Sequence, residues 1–215
     1  FRAPPSYDLT NGEDDPVDDQ DAYVLPAGGQ RTYFSNYDNP FWSVNRNRNF
    51  ERTHRILGHV EFTYQPKEWI SIKNRTGIDH YASKFKSYWD SQSGEFKAGG
   101  GLVINNSLTN TILNNDLLLA LDHGFTDNFR TTLVLGHNYR DENNTSLYAE
   151  GEGFIIPEFY DISNTPIQNQ FIDDNIQRER AVGLYGDLTL AFWNWLYLHL
   201  TGRNDWLSNL PANNN

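Results

Sequence analysis

Cysteine and methionine are both absent from this chain of 215 residues. Without cysteine, the chain has neither disulfide bonds nor thiolate metal sites of its own. The chain starts at Phe1, and its first residues lack the basic start and the apolar core of a secretory signal peptide. We therefore expect either a processed product or an interior part of a longer protein, with the natural start missing.

Long apolar runs and an excess of basic residues are also missing. No run of about 18 apolar residues occurs, so the sequence contains no candidate for a transmembrane helix. Lysine and arginine number 17 against 28 aspartates and glutamates, giving a net charge of −11. This balance disfavours nucleic acid as a partner, because phosphate binding needs a basic face. A transmembrane strand is still allowed, since it needs only about 9–11 alternating residues.

Aromatic residues, in contrast, are abundant in this chain. They make up 14% of the chain, whereas all hydrophobic residues together make up only 38%. A chain rich in aromatic and poor in aliphatic residues fits a one-sided β-surface better than a thick core.

Residues 1–54 are predicted to be mainly loop, and we place this loop outside the cell. Four prolines between Pro4 and Pro26 interrupt regular structure. A dense acidic run extends from Asp8 to Asp21, but its spacing lacks the order of an EF-hand loop. We interpret this run as a solvated loop in preference to a calcium site.

Residues 55–206 alternate between apolar and polar side chains in three hairpins, which predicts about six antiparallel strands. The first hairpin turns at residues 65–68, with Trp69 opening its second strand, and the other two turn near Asp127 and Asn194. Each hairpin has one apolar and one polar side. We expect the charged residues of the polar sides to face the interior of a barrel, where they form ion pairs in preference to contacting substrate: Glu61, Lys73, Arg75, Asp79, Asp187, Arg203 and Asp205.

The connections between the strands alternate in length. Those near Pro66, Asp127 and Asn194 are short, whereas those over residues 81–115 and 141–180 are predicted to be long. Outer-membrane barrels have this asymmetry, with short periplasmic turns and long extracellular loops. Residues 207–215 are predicted to begin another extracellular loop.

Aromatic residues also mark the ends of the predicted strands. Trp69, Phe129, Trp193 and Trp195 lie beside the short turns, and Tyr139 and Trp206 lie where strands leave toward long loops. Two aromatic girdles around an apolar band are typical of transmembrane barrels. We favour this interpretation over the general preference of aromatic residues for strands.

Together these features predict an all-β fold, namely an antiparallel transmembrane β-barrel segment. Six strands cannot stand alone in lipid, because an open sheet edge leaves backbone groups unsatisfied there. Bacterial single-chain barrels have at least about eight strands. We therefore expect this chain to be a slice of a larger barrel.

Several segments resemble the SusC/RagA family of TonB-dependent outer-membrane transporters. The segments at residues 39–45, 52–64 and 69–79 are similar to the middle of that family's barrel. Residues 157–164 resemble its P-x-x-Y-x-(L/I)-S-N loop, and residues 198–211 resemble its ARNDWSSTLP signature. The departures from the last motif are Gly202, Leu207 and Asn209. The similar segments run from about Asn39 to Pro211 in the family's order and spacing.

The resemblance implies more than the residues themselves do. Members of the family are barrels of about 22 strands with a plugged lumen, and they import oligosaccharides or oligopeptides across the outer membrane. Their partners are a surface lipoprotein of the SusD type, which caps the barrel, and TonB, which acts on the plug. The plug domain is not part of this chain. Surrounding lipid would be a further partner, and no cofactor is implied.

Motifs for catalysis or metal binding are not found. The sequence lacks Gly-x-Ser-x-Gly and His-Glu-x-x-His, and its six histidines lack ligand spacing. We therefore expect no enzymatic activity and no metal site. Aromatic residues assigned to the long loops could stack on sugar rings and are our hypothesis for substrate contacts: Tyr81, Tyr88, Trp89, Phe159 and Tyr160.

Two other functions stay open at this point. A passive porin would share the girdles and the loop asymmetry without needing a plug or TonB. A secreted carbohydrate-binding β-protein would suit the exposed aromatic residues and acidic loops, but it would need an internal core.

Overall fold

A single six-stranded antiparallel sheet dominates the computed structural model, which describes residues 3–34, 36–94 and 96–210. The strands follow one another in chain order and the sheet is not closed. Their bounds are β1 (Arg48–Lys67), β2 (Ile70–Trp89), β3 (Leu102–Thr126), β4 (Phe129–Glu152), β5 (Gln170–Phe192) and β6 (Leu196–Leu207). The all-β prediction is thereby confirmed.

The helices are short and lie outside the sheet. They comprise α1 (Pro40–Arg46) and the 3-10 helices Gln20–Ala22, Lys97–Gly99, Ile162–Asn164 and Ile167–Asn169. Among the described residues, none of these helices combines the length and the apolarity needed to traverse a bilayer.

By its contacts the described chain divides into two compact units. Unit 1 takes the residues up to Thr53 together with Ser83–Leu108 and Ser146–Asn175. Unit 2 takes His54–Ala82, Thr109–Thr145 and the residues from Ile176 onward.

In unit 1, helix α1 begins at a buried asparagine. The Asn39 side chain accepts a hydrogen bond from the backbone N–H of Phe41, and Pro40 occupies the first helical turn. The amide of Asn39 also donates to the carbonyl oxygens of Ala22 and Arg31. One buried side chain therefore both caps the helix and holds two other parts of the N-terminal segment.

In unit 2, the register of β5 and β6 separates two different faces. Leu188 lies opposite Leu200, and Leu190 lies opposite Leu198. On the other face, Asp187 lies opposite Thr201. Directly opposed residues share a face, so this hairpin has one apolar and one polar side, as its alternation predicts.

The three short turns are present and are as short as predicted. They comprise Glu68–Trp69, Asp127–Asn128 and the residues from Trp193 to Trp195. The first turn lies slightly later than predicted, because β1 continues through Pro66 to Lys67. Trp69 therefore belongs to the turn and does not open β2.

The predicted extents of the two long connections are wrong. The first comprises only residues 90–101 and the second only residues 153–169. Tyr81, Tyr88 and Trp89, assigned to a loop from the sequence, lie within β2. Backbone pairing continues where the apolar alternation ends, because a ladder of hydrogen bonds between strands does not require apolar side chains.

The outer boundaries of the sheet also differ a little from those predicted. β1 begins at Arg48, before residue 55, and α1 lies within the predicted loop region 1–54. β6 ends at Leu207. Residues 1 and 2, and residues 211–215 of the loop predicted to start at residue 207, lie outside the described residues.

The turn between β5 and β6 has an unusual backbone. Trp193 and Asn194 both have positive φ, at 50° and 59°. The N–H of Trp195 donates to the carbonyl of Phe192 across 3.2 Å, which closes the turn. Two successive positive φ values are typical of the type I′ hairpin turn, whose twist matches that of the strands.

Substitution of Asn194 tests this turn. Asn194→Val places a β-branched side chain in the left-handed region and should lower the free energy of unfolding by about 1–2 kcal/mol. Asn194→Gly keeps the conformation accessible and serves as the matched control. The measurement is denaturant unfolding of the protein at its natural length in detergent micelles. Equal stability of the two variants would contradict the positive φ.

Candidate functional site

The polar side of β1 and β2 carries two clusters of ion pairs. Glu61 on β1 accepts from Lys73 at 3.0 Å and from Arg75 at 2.7 Å, both on β2. Asp79 on β2 accepts two hydrogen bonds from Arg55 on β1, at 2.9 and 2.7 Å. The structure thus brings Glu61, Lys73 and Arg75 together and gives Asp79 a partner that we did not single out. The sequence contained a signal for this partner, because Arg55 lies an even number of residues from Glu61 and therefore on the same face of β1.

The same side of β3 and β4 continues the polar network. Arg130 forms a two-point ion pair with Asp122, at 2.6 and 2.7 Å. Further along, Glu142 accepts from Asn110 at 3.0 Å and from Arg140 at 2.6 Å. None of these residues was in the predicted set, although the even spacing along both strands was visible in the sequence.

The hairpin of β5 and β6 contributes the remaining predicted residues. Asp187 contacts the ring of His199 at 2.7 Å. Arg203 forms a two-point ion pair with Asp205, at 2.7 Å for both bonds, and its guanidinium lies 5.4 Å from the centre of the Tyr185 ring. All seven residues predicted for the polar side therefore have a charged or hydrogen-bonding partner within unit 2.

The arrangement determines what this face can do. The pairs are partly exposed, and an exposed ion pair adds little to stability by itself. Together they line the polar side of unit 2 with side chains of both charges, whose hydrogen-bond donors and acceptors are held in place. In the described part of the chain, no group of three or more acidic or histidine side chains is placed to hold a metal ion. The face is thus suited to contact water and polar solutes.

A tyrosine ring packs against a glycine on this polar side. A Cβ atom at Gly136 on β4 would lie only 2.1 Å from the Tyr185 ring on β5. The absence of a side chain at Gly136 therefore leaves the space that Tyr185 occupies beneath Arg203.

An aromatic row lies along the short turns of unit 2. Trp69 lies 5.0 Å from the ring of His123, and Phe129 lies 5.7 Å from Phe125 and 5.1 Å from Phe192. The row continues from Phe192 through Trp193 to Trp195. The four residues predicted for this end are present in the row, whereas His123, Phe125 and Phe192 were missed. Their contact with a lipid interface stays a prediction.

The two aromatic residues predicted for the opposite end lie within or at the end of strands. The hydroxyl of Tyr139 donates to Asp141 at 3.0 Å, and β4 continues beyond it to Glu152. Trp206 lies opposite Val182 near the end of β6. Tyr139 therefore does not mark a strand end, and a second girdle at this level is still a prediction.

The aromatic residues proposed to stack on sugars are distributed over the two units. In unit 1, Tyr88 and Tyr160 stack on each other with ring centres 4.1 Å apart. Trp89 contacts Phe96 at 5.0 Å. Phe159 is half exposed, while Tyr81 lies on β2 in unit 2. Tyr88 and Tyr160 each occupy a face of the other ring, which leaves less surface for a sugar than the sequence suggested.

Tyr160 is held in place as a neutral hydrogen-bond donor. Its hydroxyl donates to Asp90 at 2.6 Å. Burial, together with this hydrogen bond to a carboxylate, raises the pKa of Tyr160 well above its ordinary value. The phenol therefore keeps its proton throughout the physiological pH range.

The loop that carries Tyr160 is held by its own side chains. Asn164 donates to the carbonyl oxygens of Ile156 and Phe159, at 2.8 and 2.6 Å. Asp161 accepts from the hydroxyl and the backbone N–H of Ser163, and these bonds lower the pKa of Asp161. This explains why the polar residues of the 157–164 segment occur together: they fold a loop.

Comparison with known proteins finds similarity in structure alone. No family model and no curated protein matches the chain. The structure of the RagAB peptide transporter matches with a TM-score of 0.73 at 13% identity, over 86% of this chain. The RagAB peptide importer in its closed-closed state matches with a TM-score of 0.72 at 13% identity, over 82% of this chain. The same importer in its open-open state matches with a TM-score of 0.70 at 14% identity, over 86% of this chain.

The chain spans only about a fifth of the length of these matched chains, 20% to 21%. At such low identity the similarity concerns the fold. The sheet of this chain therefore has a RagA-like fold and corresponds to a fragment of a β-barrel.

The packing of Tyr185 against Gly136 gives a test of the polar side. Gly136→Val should displace the ring and lower the free energy of unfolding by about 1–3 kcal/mol, because the added side chain overpacks the site. In a Tyr185→Ala background the same change should cost little. Gly202→Val is the matched control, since a Cβ at Gly202 meets open space. Denaturant unfolding of all variants measures the coupling free energy between positions 136 and 185. Additive changes in the free energy of unfolding would contradict the contact.

Proposed function

We propose that this chain forms part of the barrel wall of a TonB-dependent transporter of the SusC/RagA type in a bacterial outer membrane. The observation that carries the proposal is the RagA-like sheet with one apolar and one ion-paired face. Such a wall can contact lipid on one side and a hydrated lumen on the other.

The proposed cargo is an oligopeptide, with an oligosaccharide as the second candidate. The structural neighbours are described as a peptide transporter and a peptide importer, which supports the first. The resemblance of the sequence to the SusC/RagA family supports both. Transport is proposed to be driven through TonB acting on a plug, and a SusD-like lipoprotein is proposed to cap the barrel. We propose that this chain takes part in transport and does not catalyse a chemical reaction.

A passive channel is the second candidate function. The observation that favours it is that the polar side is lined by fixed ion pairs, which can serve a water-filled pore without any energy input. Energy dependence distinguishes the two candidates, because only the TonB-dependent process needs the proton gradient of the inner membrane.

Uptake by intact cells tests the proposal. We expect deletion of the gene to abolish accumulation of a labelled oligopeptide mixture, and a protonophore to abolish it equally in wild-type cells. A labelled oligosaccharide mixture, tested in parallel, separates the two cargo classes. The gene restored on a plasmid is the control.

Two results would contradict active import. Uptake that depends on the gene but persists with the protonophore would support a passive channel. Recovery of the protein from the culture medium without detergent would support a secreted β-protein instead.

A further inference from the structure

A cavity of about 740 Å³ is lined entirely by residues of unit 1. Its volume is within the usual range of sites that bind small ligands. Three of the lining residues are basic, namely Arg52 on β1 and Lys84 and Lys86 on β2. The ring of Phe50 on β1 lies among them.

Contacts within unit 1 show that these basic side chains share one face of its strands. The rings of Phe50 and Tyr88 lie 6.1 Å apart, so both side chains are on the same face. Arg52 follows Phe50 by two residues in β1, and Lys84 and Lys86 precede Tyr88 by four and two residues in β2. Since side chains two residues apart in a strand point to the same face, the three cations lie on the face of the two rings.

The intervening residues of the two strands occupy the opposite face. Thr53 on β1 donates to Ser83 on β2 at 3.2 Å, and Ser87 donates to Asn49. Glu51 also lines the cavity, but its carboxylate accepts from Ser83 at 3.1 Å. Glu51 therefore belongs to this opposite face and does not pair with the cations.

The cations of the cavity are only partly neutralised. Within the described residues, the side chains of Arg52 and Lys84 form no ion pair, and Lys86 has only a 3.8 Å contact with Asp161. The cavity is therefore a local excess of positive charge in a chain whose net charge is −11. Such a site is complementary to an anionic ligand.

The spacing of the side chains along β1 indicates the shape of this ligand. Arg48, Phe50 and Arg52 occupy alternate positions on the same face, and Phe50 is half exposed. Arg48 donates to the backbone carbonyl of Asn45 at 3.2 Å, and no ion pair of Arg48 is found in the part of the chain that the structure describes. Side chains on one face of an extended chain recur about every 6.6 Å. An extended peptide has the same repeat, so its alternate side chains can lie opposite these three residues.

We propose that this face of unit 1 binds an acidic segment of an oligopeptide in extended conformation, with its carboxylates contacting Arg48, Arg52 and Lys84. Phe50 packs against the peptide between the contacts to Arg48 and Arg52. The inference rests on the proposed function, because it specifies which oligopeptides the protein prefers as cargo.

Peptide binding to the protein at its natural length in detergent micelles tests the inference. The probe is a fluorescein-labelled decapeptide of alternating glutamate and serine, and the reference peptide has glutamine in place of each glutamate. Fluorescence anisotropy at low ionic strength gives both affinities, and the glutamate peptide should bind more tightly. The double substitution Arg52→Gln and Lys84→Gln should weaken binding of the glutamate peptide about 25-fold, at about fivefold for each exposed ion pair removed, and leave that of the glutamine peptide unchanged.

Two further variants serve as controls. Arg52→Lys with Lys84→Arg keeps both charges and should retain binding of the glutamate peptide. Lys97→Gln should also retain it, because Lys97 is an exposed lysine of unit 1 outside the cavity. Should the double variant fail to fold, Lys84→Gln alone with a fivefold loss carries the same test.

Three results would overturn the inference. They are equal affinity for the two peptides, binding of the glutamate peptide that the double substitution leaves unchanged, and tighter binding of a phosphorylated oligosaccharide of the same charge. Failure of the proposed function is a separate outcome, since it would appear as cells whose uptake of both peptides is independent of the gene. Uptake of both peptides through the gene, together with binding that is insensitive to the substitutions, would overturn this inference alone.

Discussion

Pairing of backbone groups between neighbouring strands is the constraint on which the rest of this structure depends. Because the ladders of β1 to β6 satisfy the N–H and C=O groups, the two faces of the sheet are free to differ completely in chemistry. The same constraint makes the edges critical. In lipid an unpaired edge costs several kcal/mol for each unsatisfied group, so the proposed location requires partner strands beside β1 and β6.

Under the proposed function, one face of unit 2 contacts water and the other contacts lipid. Glu61 with Arg75, and Asp122 with Arg130, keep opposite charges paired across neighbouring strands. Such pairs give a hydrated wall without a large net field, while the row of leucines from Leu188 to Leu200 suits contact with lipid. Tyr185 above Gly136 shows that the polar side is also packed, and is not simply a set of solvated charges.

The sequence predicted the structure well where a feature depends on residues that are close together in the chain. Alternation of two residues identified all three hairpins, their polar sides and their short turns, because each depends on neighbours in the chain. It failed at Tyr88 and Trp89, where β2 continues although the apolar pattern has ended. It also could not show that Tyr160 stacks on Tyr88, because that contact depends on how a loop and a strand distant in the chain fold together.

The division of the sheet into a lipid side and a water side is the central claim, and spin labels test it most directly. This chain has no cysteine of its own, so a single cysteine can be introduced and spin-labelled at Leu188, Thr189, Leu200 or Thr201, with the protein at its natural length in lipid vesicles and any cysteine elsewhere in it replaced. Collisions with oxygen report lipid and collisions with a water-soluble nickel chelate report water. We expect high oxygen accessibility at Leu188 and Leu200 and high nickel accessibility at Thr189 and Thr201. Equal accessibility of adjacent residues to both reagents would contradict it.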